Sequence, residues 1–374
     1  DDMPAGVAPQ CVALPAAAPL DAAQLARCVR ELDWRPGAGP VVATFATSVS
    51  SPWLLGLSAA ARGLPLLVAG LGTSFPRYFN WWLGYGKKLP GSRRAAQLLA
   101  ALAPRAPVVW VDSTDTMIVN PLLSSAARAL DEVLAQRGTH RVLSGAECYS
   151  WPRCYEEDYA RDAQHVACTA RSPTCYPNSG TYLSTAAGLE RWFEAQNATL
   201  HEFLGSPMSN AECTHDQAVL HHMLLNRTRP LYAGIDMRLD DTSEFFLNLH
   251  QCEPPRYWRM RNVSKCYHTA HEPLAHARVE CSSANCSLWY APGHAPPRPL
   301  RKRAAHRPWL AHANGRHATL SHGAAFAPLI QGLRLSPALR QHPVLLVDPA
   351  GGGVCEVSTI GQLYAVRTGN QMKP

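Results

Sequence analysis

A chain of 374 residues, 47% hydrophobic and 17% charged, has the composition of a globular protein and enough length for one large domain or two ordinary ones. Its net charge of +7 comes from basic residues that mostly lie scattered, which argues against a nucleic-acid surface. No apolar run reaches the ~18 residues of a membrane span, because the most apolar stretch, 54–71, is interrupted by Arg62 and Pro65. Residues 1–39 are rich in Ala and Pro and read as an N-terminal extension with one short helix over 22–32. From Val41 the pattern alternates. Strands are expected at 41–46, 64–69, 107–111 and 141–144, and helices at 52–62, 92–103 and 120–137. Such alternation predicts an α/β fold, a mostly parallel sheet with helices on both faces, which binds ligands at the carboxyl ends of its strands.

After Cys148 the sequence becomes loop-rich, with helices expected at 187–196 and 216–225. The stretch 292–308 holds five prolines and the basic residues Arg298, Arg301, Lys302 and Arg303, and reads as an extended surface connection. A strand pair at 342–347 and 361–366, around a turn at 349–353, is expected in a C-terminal extension spanning 321–374. That leaves 40–320 as the main domain.

Twelve cysteines at irregular spacing, with no paired CxxC, favour disulfides over a zinc site. They concentrate in the loop-rich half, as do the N-x-S/T sequons at Asn197, Asn226, Asn262 and Asn285. Together they predict folding in the lumen of the secretory pathway, endoplasmic reticulum or Golgi, or secretion. The chain starts Asp1-Asp2 without a charged and apolar leader, so the expectation is that a targeting segment has been removed.

The sharpest chemical signal is the run from Pro107 to Asp115, in which an apolar strand ends in two carboxylates three residues apart, Asp112 and Asp115. In a turn after a strand, both can face one point and share a hard divalent cation with a diphosphate. The alternative is an Asp-rich helix cap. Further motifs follow in order: Gly145-Ala-Glu147-Cys-Tyr-Ser-Trp151-Pro152, Tyr176-Pro-Asn178-Ser179-Gly180, Thr214-His215-Asp216-Gln217, the run from Leu239 through Asp240 and Phe246 to Asn248, and His312-Ala-Asn314-Gly315.

With Ala43-Thr44-Phe-Ala-Thr47 near the start, this series resembles the glycosyltransferase domain of the multifunctional procollagen lysyl hydroxylases and the related collagen hydroxylysine glycosyltransferases, over roughly 40–320. The resemblance implies a GT-A-like, Rossmann-like sheet that binds Mn²⁺ and a UDP-sugar. It implies Asp112, Asp115 and His312 as metal ligands, with Asn314 and Gly315 beside the diphosphate. Thr44 and Thr47 fall at the uridine end, and Lys87 or its neighbour Lys88, after a Gly-Tyr-Gly turn, supports the nucleotide. Trp151 falls over the sugar and acceptor, where an indole face stacks on a sugar ring. Asn178 and Asp216-Gln217 line the donor sugar, with Asp216 the carboxylate that stabilises its developing positive charge and His215 beside it. The implied reaction is hexosyl transfer, glucose or galactose, from the UDP-hexose to a protein or glycoprotein hydroxyl such as hydroxylysine-linked galactose.

Two departures stand out. The family has consecutive aspartates where this chain reads Glu212-Cys213-Thr214-His215-Asp216, and Arg316 takes the place of a lysine at the diphosphate. The hydroxylase half of those proteins has no counterpart in this sequence. Competing readings are a transferase for serine or hydroxyproline glycans and an inactive GT-A-shaped binding module. The stretch His268–His276 superficially matches a zinc-protease motif, but Pro273 inside it breaks the required helix.

Overall fold

The computed structural model describes residues 22–31, 39–46, 53–71, 81–122, 124–136, 138–147, 150, 155–172, 174–204, 216–248, 277–282, 285–290, 307–312, 337–347 and 355–363, without the side chains of 22, 25, 31, 53, 81–87, 90, 124, 125, 171, 204, 277–282, 285–290 and 337. Five strands open the chain: β1 (Val41–Phe45), β2 (Leu66–Ala69), β3 (Pro107–Asp112), β4 (Thr116–Ile118) and β5 (His140–Glu147). Then come β6 (Tyr176–Thr185), β7 (Ile235–Asp240), β8 (Phe246–Asn248), β9 (Ala277–Ser282), β10 (Asn285–Tyr290), β11 (Leu310–His312), β12 (Pro343–Val347) and β13 (Cys355–Thr359). The helices are α1 (Ala22–Glu31), α2 (Trp53–Ala60), α3 (Trp81–Leu102), α4 (Ser124–Leu134), α5 (Glu156–Arg161), α6 (Ala163–Arg171), α7 (Ala186–Leu204), α8 (Asp216–Leu225) and α9 (Pro337–Arg340).

Eight strands form one mostly parallel sheet in the order β13-β12-β2-β1-β3-β6-β5-β7. The block β12-β2-β1-β3 is parallel throughout, β6 enters antiparallel to both β3 and β5, and β5 pairs in parallel with β7. The strands of the block read as continuous apolar runs because both faces are covered. Alternate residues of one strand serve opposite layers. Val108 and Trp110 pack with residues of α3, α7 and α8, whereas Val109 and Val111 pack with residues of α2 and α4. Trp110 meets Phe193 edge-on at 5.0 Å between ring centroids, which anchors α7 to the centre of the sheet.

A small sheet β4-β11-β8 sits beside the large one, with β11 antiparallel to β4 and parallel to β8. The strands β9 and β10 form a separate antiparallel pair. Among the described residues no helix is long and apolar enough to cross a membrane.

Several expectations need correction. The strand pair at the C-terminus exists, but its second strand is β13 at 355–359, and residues 360–363 form a helical turn instead of strand 361–366. Because β12 pairs with β2, the boundary drawn at 320 runs through the main sheet. The N-terminal extension is also bound in, since Cys28 of α1 is disulfide-linked to Cys355 of β13. A second disulfide, Cys168–Cys175, closes the short loop between α6 and β6. The helix expected at 92–103 starts at Trp81, so Gly84-Tyr85-Gly86 is helical rather than a turn. Strands β6 and β7 were not anticipated: the polar sequence of β6 hides a period of two, whereas β7 alternates apolar and polar residues and carried the signal. The histidine-rich stretch 268–276 lies outside the described residues.

Candidate metal centre

The order β2-β1-β3 reverses direction around β1, which opens a crevice at the carboxyl ends of β1 and β3. Phe45 and Asp112 are register partners at that rim. The apolar run of β3 buries everything up to Val111 and delivers Asp112 at the edge, partly exposed. Thr116 donates its hydroxyl to the Asp112 carbonyl, which tightens the turn that carries Asp115. Asp115 and Asp112 therefore face the same space.

The third member comes from far along the chain. His312 ends β11, on one rung with Thr116 of β4 and Asn248 of β8. Its Nε2 lies 3.4 Å from Asp115 Oδ1 and 3.6 Å from Asp112 Oδ2. One ligand atom from each of Asp112, Asp115 and His312 can be chosen so that all lie within 4.8 Å of one another.

The tautomer of His312 follows from its other nitrogen. Asn248 Nδ2 donates to the Ala146 carbonyl at 2.9 Å, which turns its Oδ1 toward His312 Nδ1, also at 2.9 Å. Nδ1 is therefore the donor, and the Nε2 lone pair of the neutral ring faces the carboxylates. This is the outer hydrogen bond that characteristically orients a metal-ligating histidine. His312 Nε2 and Asp115 Oδ1 are buried and have no hydrogen-bond partner among the described residues. A lone pair aimed at two carboxylates is repulsive unless a cation or proton lies between them. Two carboxylates and an imidazole suit a borderline divalent ion such as Mn²⁺, so the residues present fit the metal expected from sequence.

Electrostatics point the same way. Burial disfavours charge on His312, but the Asp115 and Asp112 carboxylates outweigh it and hold the imidazole pKa up at about 10. Burial would raise Asp112, yet the Lys88 ammonium and His312 hold it well below the usual carboxylate range. Gly180 of β6 makes room for this cluster. A Cβ there would stand 2.7 Å from Asp112 Oδ2 and 2.8 Å from His312 Nε2.

Lys88 links the centre to a second group of residues. From α3 its Nζ donates to Asp112 Oδ1 at 2.7 Å and to Asp216 Oδ2 at 3.0 Å. Burial works against the ammonium, but the two carboxylates prevail and raise its pKa well above the ordinary value. Asp216 begins α8, where its Oδ1 accepts the Gln217 N–H at 2.9 Å, so it also serves the helix start. Next to it, Glu147 at the end of β5 accepts hydrogen bonds from Gln217 Nε2 and from Asn178 Nδ2. Asn178 Oδ1 accepts the Gly180 N–H at 2.8 Å. A continuous set of contacts thus runs from Glu147 through Asn178 to the glycine that borders Asp112 and His312.

Of the residues singled out from sequence, Asp112, Asp115, His312, Asp216 and Asn178 converge here. Thr44 does not face the crevice. It is fully buried, and its hydroxyl donates to the Val111 carbonyl at 2.7 Å, tying β1 to β3. Trp151, His215, Thr47, Asn314, Gly315 and Arg316 lie outside the described residues, as does the side chain of Lys87.

The sequence leaves Lys87 and Lys88 as alternatives, and the structure brings Lys88 to the centre. The signal was available: Lys88 lies four residues before Ser92 and eight before Ala96, both on the buried face of α3. Glu147 and Asn248 were quoted within motifs without a role, although each ends a strand on the binding side of its sheet. No protein-family model matches the chain, and no curated protein matches it. Fold and site together define an α/β protein with a mostly parallel sheet and, at its topological switch, a cluster of three side chains that could hold a metal ion.

Proposed function

We propose that the chain is a Mn²⁺-dependent glycosyltransferase of the GT-A type, which takes a UDP-hexose and passes the sugar to a hydroxyl of a protein or protein-linked glycan. The observation that carries this reading is the Asp112–Asp115–His312 cluster at the carboxyl end of β3, with Asp216 one lysine away. A divalent cation held by these three side chains would supply Lewis-acid stabilisation of the negative charge on the departing diphosphate.

The protein's own groups divide the remaining work. Asn248 keeps the Nε2 of His312 aimed at the carboxylates. Lys88 brings a positive charge between the metal ligands and Asp216, where an anionic diphosphate would also be attracted. Asp216 supplies a carboxylate for the positive charge that develops on the sugar as its bond to the diphosphate breaks. Glu147 holds the amides of Asn178 and Gln217, which the sequence resemblance assigns to the donor sugar. The disulfides Cys28–Cys355 and Cys168–Cys175 fit folding in an oxidising lumen.

Calorimetry of UDP binding with Mn²⁺ and with EDTA tests the metal and nucleotide together. Binding is expected only with the metal, and equal affinity in EDTA would overturn the reading. Release of UDP from UDP-glucose and UDP-galactose, measured side by side, then identifies the hexose.

A further inference from the structure

Away from the crevice, α3, α7 and the 3-10 turn Pro230–Tyr232 border an open groove of about 290 Å³, lined by Arg93, Arg191, Glu194, Ala195, Asn197, Ala198 and Leu231. Its polar rim is charged on both signs: Glu194 pairs with Arg93 at 3.2 Å and with Arg191 at 3.7 Å. Two alanines keep it open, and Leu231 supplies an apolar wall. The volume is at the lower edge of the ~300–1,000 Å³ typical of small-molecule sites, the size for one sugar ring.

Asn197 lies inside α7, where asparagine is a poor helix former. It is half-buried and makes no hydrogen bond to the described residues. It is also the acceptor of the sequon Asn197-Ala198-Thr199. The hydroxyl that completes this sequon is fully buried, donating to the Ala195 carbonyl at 2.8 Å and meeting the Tyr232 hydroxyl at 2.9 Å. An enzyme that reads the sequon cannot reach Thr199 once α7 has packed.

We propose that Asn197 carries an N-linked glycan added before α7 docks, and that its proximal N-acetylhexosamine lies in the groove between α3 and α7. In the transfer, Asn197 Nδ2 bonds to the anomeric carbon of a lipid-diphosphate-linked oligosaccharide. The bond from that carbon to the diphosphate oxygen breaks, the amide loses a proton, and the lipid diphosphate leaves. Within the groove the arginines and Glu194 face the acetamide and hydroxyls, and Leu231 faces the ring. The proposal rests on passage through the secretory pathway and is independent of the catalytic reading. Asn226 differs, because its amide nitrogen already donates to the His222 carbonyl at 2.9 Å.

The test uses the full chain secreted from a eukaryotic cell. Peptide mapping after enzymatic deglycosylation in heavy-oxygen water is expected to show Asn197 converted to labelled aspartate. An unmodified Asn197 overturns the proposal. Trimming the glycan to its proximal sugar should leave Tm unchanged, whereas complete removal, or Asn197→Gln, should lower it by about 2 °C or more. Equal Tm values for the trimmed and bare proteins reject the groove as the sugar's seat. Finally, the bacterially made, folded chain and a peptide spanning 190–203 are each offered to oligosaccharyltransferase. Modification of the peptide alone supports addition before folding, and modification of the folded chain refutes it.

Discussion

The two sides of the crevice are built on opposite principles. On the metal side, Asp112, Asp115 and His312 converge, and the buried His312 Nε2 and Asp115 Oδ1 find no hydrogen-bond partner among the described residues. On the other side, Glu147, Asn178 and Gln217 satisfy one another, with Asn178 locking the Gly180 backbone. Leaving a buried polar atom unpaired typically costs ~1–3 kcal/mol, so the first side keeps a deficit that a proton on His312 or a bound cation removes. The second side is a finished scaffold. A site that must bind and release a cation benefits from this arrangement, because the frame stays in place while the occupant changes.

Lys88 is where the two sides meet, and Asp216 is the residue whose loss should separate them most. Asp216→Asn keeps a good helix-starting residue but removes the charge facing Lys88. Turnover is expected to fall by roughly 10²–10³, with UDP affinity and thermal stability retained. Steady-state kinetics showing wild-type turnover would remove Asp216 from the chemistry and leave it a helix cap.

Next in size is Asp115→Ala. It strips one ligand from the unfinished side, and Mn²⁺-supported UDP binding should weaken by about 10–150-fold, the span of a charge-assisted contact. If calorimetry finds the affinity unaltered, the cluster is not the metal site.

A paired experiment then sharpens the contrast. Asn248→Ala frees the His312 ring and should weaken Mn²⁺ binding by about 10–100-fold. Glu147→Gln, on the finished side, should leave Mn²⁺ affinity unchanged and lower turnover by roughly tenfold through one lost hydrogen bond. Equal effects of the two variants on metal affinity would mean that the sides are a single network.

Smallest, taken per pH unit, is the pH dependence. His312 binds a metal only as the neutral ring, while in the metal-free centre its pKa is held up at about 10. Metal binding below that value must displace a proton, so Mn²⁺ affinity should fall by up to about tenfold for each pH unit lowered. Stability of the metal-free protein has the reverse sign. The charged ring stabilises fully below its unfolded value of ~6.5, and that contribution fades as pH rises toward about 10. Proton release measured in buffers of different ionisation enthalpy checks the linkage, and zero release contradicts it.

What the sequence determined alone is the part governed by neighbours along the chain. The apolar runs of β1, β2 and β3, and the helices between them, were legible because burial on both faces leaves a continuous hydrophobic pattern. Asp112 and Asp115 were legible as candidates because a carboxylate pair after such a run falls at the ligand-binding ends of the strands. The sequence could not say that β6 enters antiparallel between β3 and β5, or that β12 and β13 complete the main sheet. Nor could it give Asn248 its role. Those outcomes depend on register between segments remote in sequence: His312 meets Asn248 only because β11 pairs with β8 on that rung. Hydrophobic period reports which face of an element is buried, but its partner in space is decided by packing and hydrogen bonding across the whole fold.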